Sequence, residues 1–244
     1  MINIKQLSEF ETGLKTTQAT KADIDQKQLI EINHNKKKLF VVGNYSSGTR
    51  WLNYLIIKNT PSNHLYTLRN QHHYLDDSNN ILKNSKHGVL NDKLISQKNI
   101  VIIYTIRDFD NFLESYLKNS YNTNIKNDIE KKLKTTNMNV YEWYCYMIES
   151  NISLLKNSES NYIIVSMEQI QKTKGESLLN ILETHGFEFK KPYDFIDKHT
   201  KTKKNTQSQK IAEKKNLKFE RKNKKIENII KNLNKQPEIK ISWN

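Results

Sequence analysis

Residues 43–50 are small, hydroxyl-bearing or basic, and they could bind an anion through backbone amides. They read Gly-Asn-Tyr-Ser-Ser-Gly-Thr-Arg, follow an apolar run over residues 39–42, and precede residues with helical spacing that begin near Ser47. A loop between a strand and a helix presents successive N–H groups, and the positive end of the helix dipole, to a phosphate. The alternative is an ordinary turn with a serine at the helix N-cap. Because the loop follows a buried strand and also carries Arg50, the pattern favours anion binding.

The loop nearly matches the P-loop of nucleoside-triphosphate enzymes, but it lacks the lysine of that motif. In the pattern G-x-x-x-x-G-K-[ST], the lysine contacts the β- and γ-phosphates and the following hydroxyl holds magnesium. Thr49 stands at the lysine position and Arg50 at the hydroxyl position. An arginine has no acceptor atom that could ligate a metal. A magnesium-dependent kinase or ATPase is therefore the weaker alternative.

A second candidate phosphate site follows the most apolar strand of the chain. Ile100–Ile106 is apolar enough to predict a strand in the centre of a sheet, and Arg107 comes directly after it. An amphipathic helix follows from Phe109, and Ser115 lies on its polar side. An arginine together with a hydroxyl is a good phosphate clamp. The alternative is a local ion pair between Arg107 and Asp108 at the strand end.

The two sites together resemble those of sulfotransferases that use 3′-phosphoadenylyl sulfate (PAPS). The run Ser-Gly-Thr-Arg-Trp-Leu at residues 47–52 is similar to the family's 5′-phosphosulfate loop, K-[ST]-G-T-T-W-L. Arg107 and Ser115, eight residues apart, are similar to the pair that binds the 3′-phosphate of the cofactor. The resemblance covers roughly residues 38–190. It implies PAPS as the cofactor, no metal, and transfer of a sulfuryl group to a hydroxyl or amine of an unknown acceptor, with a carbohydrate or small molecule favoured.

The resemblance also implies roles for single residues. Residues 85–88, Ser-Lys-His-Gly, are similar to a K-T-H segment whose histidine is the catalytic base of cytosolic family members. It implies that His87 takes the acceptor proton, while Arg50 and Lys86 stabilise developing charge; the alternative is that His87 is a surface histidine. Trp51 matches a tryptophan that stacks on adenine, or else belongs to the core. The residues implied in cofactor binding are Tyr45, Ser46, Ser47, Gly48, Thr49, Arg50, Trp51, Arg107 and Ser115.

Several positions depart from the family pattern and keep a second function open. The loop lysine of the family is Ser46 here, and Arg50 replaces a threonine. The R-K-G segment that closes over the 3′-phosphate is not recognisable, although lysines between residues 201 and 225 could replace it. The alternative function is a catalytically lapsed protein with the sulfotransferase fold, which binds anions or nucleic acid through its basic C-terminal segment.

The order of strand and helix patterns predicts an α/β fold. Apolar runs at residues 39–42, 100–106 and 162–165 alternate with helical patterns, which indicates a three-layer α/β/α arrangement with a central parallel sheet and a P-loop-like strand–loop–helix. We expect an N-terminal helical extension over residues 1–37, a sulfotransferase-like α/β domain over 38–199, and a basic helical segment over 200–244.

Composition excludes several classes of protein. No run of eighteen apolar residues exists, which excludes a membrane span, and the polar N-terminus lacks a secretory signal, which predicts a cytoplasmic protein. Cys145 is the only cysteine, so an internal disulfide and a cysteine-based zinc cluster are excluded. His72 and His73 have no third spaced ligand, so no metal site is expected. Most of the net charge of +14 comes from residues 200–240, where 14 Lys or Arg face 4 Glu; nucleic-acid binding is possible but not favoured.

A histidine substitution tests the implied base. We expect His87→Ala to leave the affinity for PAPS nearly intact and to abolish turnover, because the imidazole acts on the acceptor and not on the cofactor. Calorimetry and a radiolabelled sulfuryl-transfer assay measure the two quantities. Turnover that persists in the variant would remove His87 from the mechanism.

Overall fold

The fold was obtained as a computed structural model. It describes residues 38–44, 47–61, 90, 95–96, 98, 100–118, 131, 133–195 and 223–243. Tyr45, Ser46, Lys86 and His87 lie outside these ranges, as do the side chain of Arg50 and the segment 1–37. None of the helices in the described ranges has the length and apolarity needed to cross a membrane.

A four-stranded, mostly parallel open sheet organises the molecule. Its strands are β1 (Lys38–Gly43), β2 (Ile100–Ile106), β3 (Asn161–Ser166) and β4 (Glu238–Lys240), and they lie in that order across the sheet. The first three are parallel, whereas β4 pairs antiparallel with β3. The α/β class and the three parallel strands predicted from the apolar runs are confirmed. The sequence did not predict β4.

Six helices have both of their ends within the described ranges. They are α1 (Thr49–Asn59), α2 (Phe109–Lys118), α3 (Val140–Lys156), α4 (Met167–Lys172), α5 (Glu176–Thr184) and α6 (Lys224–Leu233). The start of α3 is fixed by a capping box, in which Asn139 accepts from the Glu142 amide and Glu142 accepts from the Asn139 amide. Asp108 accepts a hydrogen bond from the Asn111 amide at 2.9 Å and so caps α2.

Every residue of β2 and β3 is buried, and alternate side chains enter two apolar clusters. The aromatic cluster combines strand residues such as Ile102 and Tyr104 with residues of α2, α3 and α6. The aliphatic cluster combines the intervening strand residues with side chains of α1, α4 and α5. Because both faces of these two strands are buried, their sequences are continuous apolar runs and do not alternate between apolar and polar residues.

The described end of the chain packs against this body. Ile226 and Leu233 of α6 are buried in the aromatic cluster. Beyond α6, the Lys240 ammonium donates to the Ser158 carbonyl at 2.6 Å, and the Trp243 indole donates to the His185 carbonyl at 3.2 Å. Lysine-rich composition in this part of the chain therefore coexists with burial of its apolar side chains.

Gly175 provides a test of the packing between α5 and α1. Its φ is +89°, and a Cβ there would lie 2.1 Å from Leu55 Cδ2. We expect Gly175→Ala to lower the free energy of unfolding by about 2–4 kcal/mol, from left-handed strain and overpacking. We expect Leu55→Ala to lower the free energy of unfolding by about 2–5 kcal/mol, because the truncated side chain leaves a cavity.

The double variant isolates the contact. Because truncating Leu55 removes the atom that the new Cβ would meet, the two costs should fall short of additivity by about 1 kcal/mol or more. Urea denaturation of the four proteins measures the difference. Full additivity would mean that the Leu55 contact does not constrain Gly175.

Candidate functional site

The end of β1 is held against β2 by hydroxyl groups. Gly43 pairs in register with Thr105, and the Thr105 hydroxyl donates to the Val42 carbonyl at 3.2 Å. Ser47 Oγ lies 2.9 Å from Thr105 Oγ1, and since the Thr105 proton is directed to Val42, Ser47 donates in this pair. A Cβ on Gly43 would lie 2.2 Å from both hydroxyl oxygens. The turn therefore requires glycine at position 43.

Both hydrogen-bond donors of Ser47, its hydroxyl and its amide, bind acceptors within the protein. Its hydroxyl donates to Thr105, its amide donates to the Asn44 carbonyl at 3.0 Å, and the residue is only 2% exposed. The sequence predicted Ser47 as a hydroxyl donor to an anion. In the described arrangement its hydroxyl and its amide both make hydrogen bonds within the protein, so these two groups shape the loop.

The N-terminus of α1 is the part of the loop that offers such donors. Gly48 is the N-cap, with φ of +83°, and makes no side-chain cap. The alternative that Ser47 caps the helix is therefore wrong. The first hydrogen bond of the helix runs from the Leu52 amide to the Gly48 carbonyl at 3.1 Å, so the amides before Leu52 have no acceptor inside the helix.

Comparison with the other helices shows what is unusual about α1. Side chains cap α3, α4 and α6, through Asn139, Ser166 and Asn223. Helix α5 also lacks a side-chain cap, but it carries Glu176 in its first turn, whereas α1 has no acidic residue there. The helix dipole at α1 is thus offset by neither a cap nor a carboxylate, which is the condition that favours an anion.

Trp51 lies in the first turn of α1 and is 7% exposed within the aliphatic cluster. The structure places it in the core, the second of the two roles expected for it. Within the part of the chain that the structure describes, its buried Nε1 has no hydrogen-bond partner. A buried donor without an acceptor is uncommon in folded proteins and is a candidate for contact with a ligand.

Arg107 follows β2 at the same edge of the sheet, because parallel strands end on one side. Its Nε lies 3.9 Å from Glu168 Oε1, and 22% of its side chain is exposed. Glu168 also accepts from the Asp108 amide at 3.2 Å and from Asn111 Nδ2 at 2.9 Å. Glu168 thereby connects the β2–α2 junction to the start of α4.

Asp108 is held beside Glu168 and does not merely pair with Arg107. Asn111 Nδ2 donates to Asp108 Oδ2 at 2.9 Å as well as to Glu168, so one amide group bridges two carboxyl groups. Burial, together with the charge of Glu168, raises the pKa of Asp108 to about 6. The raised pKa brings the titration of this one carboxyl closer to neutral pH.

The remaining site residues occupy separate places. Thr49 begins α1. Ser115 is half-buried on α2, about 9 Å along the helix axis beyond Phe109. A cavity of about 320 Å³ opens at the same edge of the sheet. Its lining residues include Asp108, Phe109, Tyr141, Tyr144 and Lys231. Among the described residues, no group of three or more potential ligands could hold a metal ion.

Sequence reasoning missed the residues that support the site. Thr105 is the one hydroxyl-bearing aliphatic residue in an otherwise apolar strand, and Asn151 interrupts the apolar face of α3; both were visible signals. Comparison of the chain with protein-family models, curated proteins and solved structures found no match.

The raised pKa of Asp108 predicts a specific dependence of stability on pH. The ordinary pKa is 3.8 and the folded value is about 6, so the folded state holds this proton more firmly than the unfolded state. Its contribution to stability is complete below pH 3.8 and is lost as the pH rises through about 6. We expect Asp108→Asn, which keeps a capping oxygen, to remove this loss.

The measurement is the difference in unfolding free energy between the wild type and the variant from pH 4 to 8, by urea denaturation. The wild type should lose stability relative to Asp108→Asn as the pH rises. Asp194→Asn is the control, since its carboxylate is 58% exposed and pairs with Lys58. A difference that does not vary with pH would show that the Asp108–Glu168 pair does not take up a proton in this range.

Proposed function

We propose that the chain is a PAPS-dependent sulfotransferase with a three-layer α/β/α fold and a P-loop-like strand–loop–helix. The reaction transfers a sulfuryl group to a hydroxyl or amine, with a carbohydrate or small-molecule acceptor favoured. One observation carries the proposal. The uncapped N-terminus of α1 and Arg107 follow neighbouring parallel strands, β1 and β2, at the same edge of the sheet.

This arrangement suits a nucleotide with phosphates at both its 5′ and 3′ positions. Neighbouring strands lie about 4.8 Å apart, so two anion sites at their ends can serve one ligand. The amides of Gly48, Thr49 and Arg50 would hold the 5′-phosphosulfate, and Arg107 would bind the 3′-phosphate. Ser115 would complete that clamp beside the first two turns of α2. The buried Trp51 N–H, which has no partner among the described residues, supports a ligand close to α1.

Catalysis by this site would consist of positioning and charge stabilisation. PAPS supplies an activated sulfuryl group on a good leaving group. His87 would take the proton from the acceptor as the acceptor oxygen or nitrogen bonds to sulfur and the bond to the bridging phosphate oxygen breaks. Arg50 and Lys86 would stabilise the negative charge that develops on the leaving oxygen. The product of the cofactor is adenosine 3′,5′-bisphosphate.

Exposed lysines favour the second candidate, a lapsed enzyme that binds anions or nucleic acid. Lys224, Lys225, Lys231 and Lys235 are all exposed on or just after α6. Nucleic-acid binding through phosphate contacts would weaken steeply with salt. A labelled-PAPS assay over mixed glycan, phenol and protein acceptors separates the candidates: transfer supports the enzyme, whereas salt-sensitive RNA or DNA binding without transfer supports the lapsed protein.

Calorimetry with nucleotides tests the proposed cofactor. We expect adenosine 3′,5′-bisphosphate to bind without magnesium, and more tightly than ATP with magnesium. Arg107→Ala should weaken binding of the bisphosphate by roughly 10- to 100-fold, because a hydrogen bond to a charged group contributes about 1.5–3 kcal/mol. Binding of adenosine 5′-monophosphate, which lacks the 3′-phosphate, should be weakened far less by the same substitution.

The control is Lys98→Ala, which removes a cation that is 72% exposed and precedes β2 at the opposite end of the strand. Its affinities should match the wild type. Equal losses for both nucleotides in Arg107→Ala would show that Arg107 does not bind the 3′-phosphate. Tighter binding of ATP with magnesium would contradict the cofactor itself.

A further inference from the structure

Three buried polar side chains connect the end of β1 to β2 and α3. Asn44, the first residue after β1, is 5% exposed, and Tyr104 and Asn151 are each 1% exposed. Asn44 Oδ1 accepts from the Tyr104 hydroxyl at 2.9 Å and from Asn151 Nδ2 at 3.2 Å. Asn151 Nδ2 also lies 3.2 Å from the Tyr104 hydroxyl oxygen. The first loop residue is thus held by two different elements.

The other end of the Asn151 amide holds a second part of the chain. Its Oδ1 accepts from the Leu90 amide at 3.2 Å, and Leu90 is itself 4% exposed. Asn151 therefore uses both its donor and its acceptor, toward two segments that are far apart in sequence. Burial raises the pKa of Tyr104, so its hydroxyl keeps its proton and remains a donor to Asn44.

Asn151 is a polar side chain among buried apolar residues of α3. Ile148, Ile152 and Leu155 are buried on the same helix, in the aromatic cluster. An apolar residue at position 151 would have a better helix propensity and no polar group to desolvate. The hydrogen bonds of Asn151 gain little net stability over an apolar side chain of similar size. Their specific effect is to fix the segments that they hold.

Asn44 determines how the loop turns toward α1. Its carbonyl accepts from the Ser47 amide at 3.0 Å, and Ser47 is followed by Gly48, the N-cap of α1. The side chain of Asn44 is anchored from the aromatic side of the sheet, and Ser47 is anchored by Thr105. The two anchors set the course of the chain on either side of residues 45 and 46.

We propose that Asn151 is a positioning residue that holds the anion-binding loop through Asn44 and, at the same time, the chain at Leu90. This rests on the proposed function, in which the loop binds the 5′-phosphosulfate. Leu90, which the Asn151 side chain holds, is three residues after the proposed base His87 in the sequence. Asn151 itself touches neither the cofactor nor the acceptor.

Amide hydrogen exchange of the full chain tests the positioning without any ligand. In Asn151→Leu, the Ser47 and Leu90 amides should exchange about fivefold faster or more, measured relative to the Ile163 amide in the sheet core. Asn161→Leu is the matched control. Asn161 is 2% exposed, donates to the Lys98 carbonyl at 3.0 Å and accepts from the Ser242 amide at 2.7 Å, at the amino ends of the strands. It should leave both ratios unchanged.

A smaller change covers the case in which Asn151→Leu does not fold. Tyr104→Phe removes only one hydroxyl, so the Ser47 amide should exchange faster while the Leu90 amide keeps its bond to Asn151 and its rate. Wild-type ratios for the Ser47 and Leu90 amides in Asn151→Leu would overturn the positioning role. If that variant does not fold, a wild-type ratio for the Ser47 amide in Tyr104→Phe would overturn it.

The affinity for adenosine 3′,5′-bisphosphate then connects positioning to the site. Asn151→Leu should bind about fivefold more weakly than Asn161→Leu. Faster exchange with unchanged affinity would overturn the link between Asn151 and the binding loop. Faster exchange in a protein whose wild type does not bind the bisphosphate would overturn the proposed function and leave the positioning role standing.

Discussion

Parallel pairing on both sides of β2 is the constraint from which the rest of the site follows. Since β1 and β3 run in the same direction as β2, all three strands end at one edge of the sheet. The chain must leave each strand there, and polar groups of the turns gather where the sheet hydrogen bonds stop. Ligands of open α/β sheets bind at the carboxyl ends of strands for the same reason.

Hydrogen bonds across that edge then decide which polar groups are used within the fold. Ser47, Thr105 and Glu168 direct their polar atoms to neighbouring strands and turns. The amides at the start of α1 have no such partner inside their helix. Side chains thus hold Asn44 and Ser47 in place, while backbone amides at the start of α1 remain as donors.

The fold was largely predictable because its main strands are buried on both faces and carry continuous apolar runs. Strand β4 was not, since its three residues, Glu-Ile-Lys, are partly exposed and show no period. The hydrogen bond of the Ser47 hydroxyl was not predictable, because its partner Thr105 is 58 positions away in the sequence. The same holds for Asn151, whose partners Asn44 and Leu90 come from two other parts of the chain. The local pattern of apolar residues indicates which segments are buried. Hydrogen bonds between residues that are distant in sequence depend on how the strands and helices are aligned in the fold.

The position of β4 has a consequence for biosynthesis. The strand comes late in the chain but covers the edge of β3, so during translation that edge stays unpaired until residues 238–240 have left the ribosome. An apolar, unpaired strand edge is a template for association with other chains. Once in place, β4 is short and carries Glu238 and Lys240, which makes it a poor template in its own right. In the described sheet, β4 thus replaces the apolar edge of β3 with a short, charged edge that favours association less.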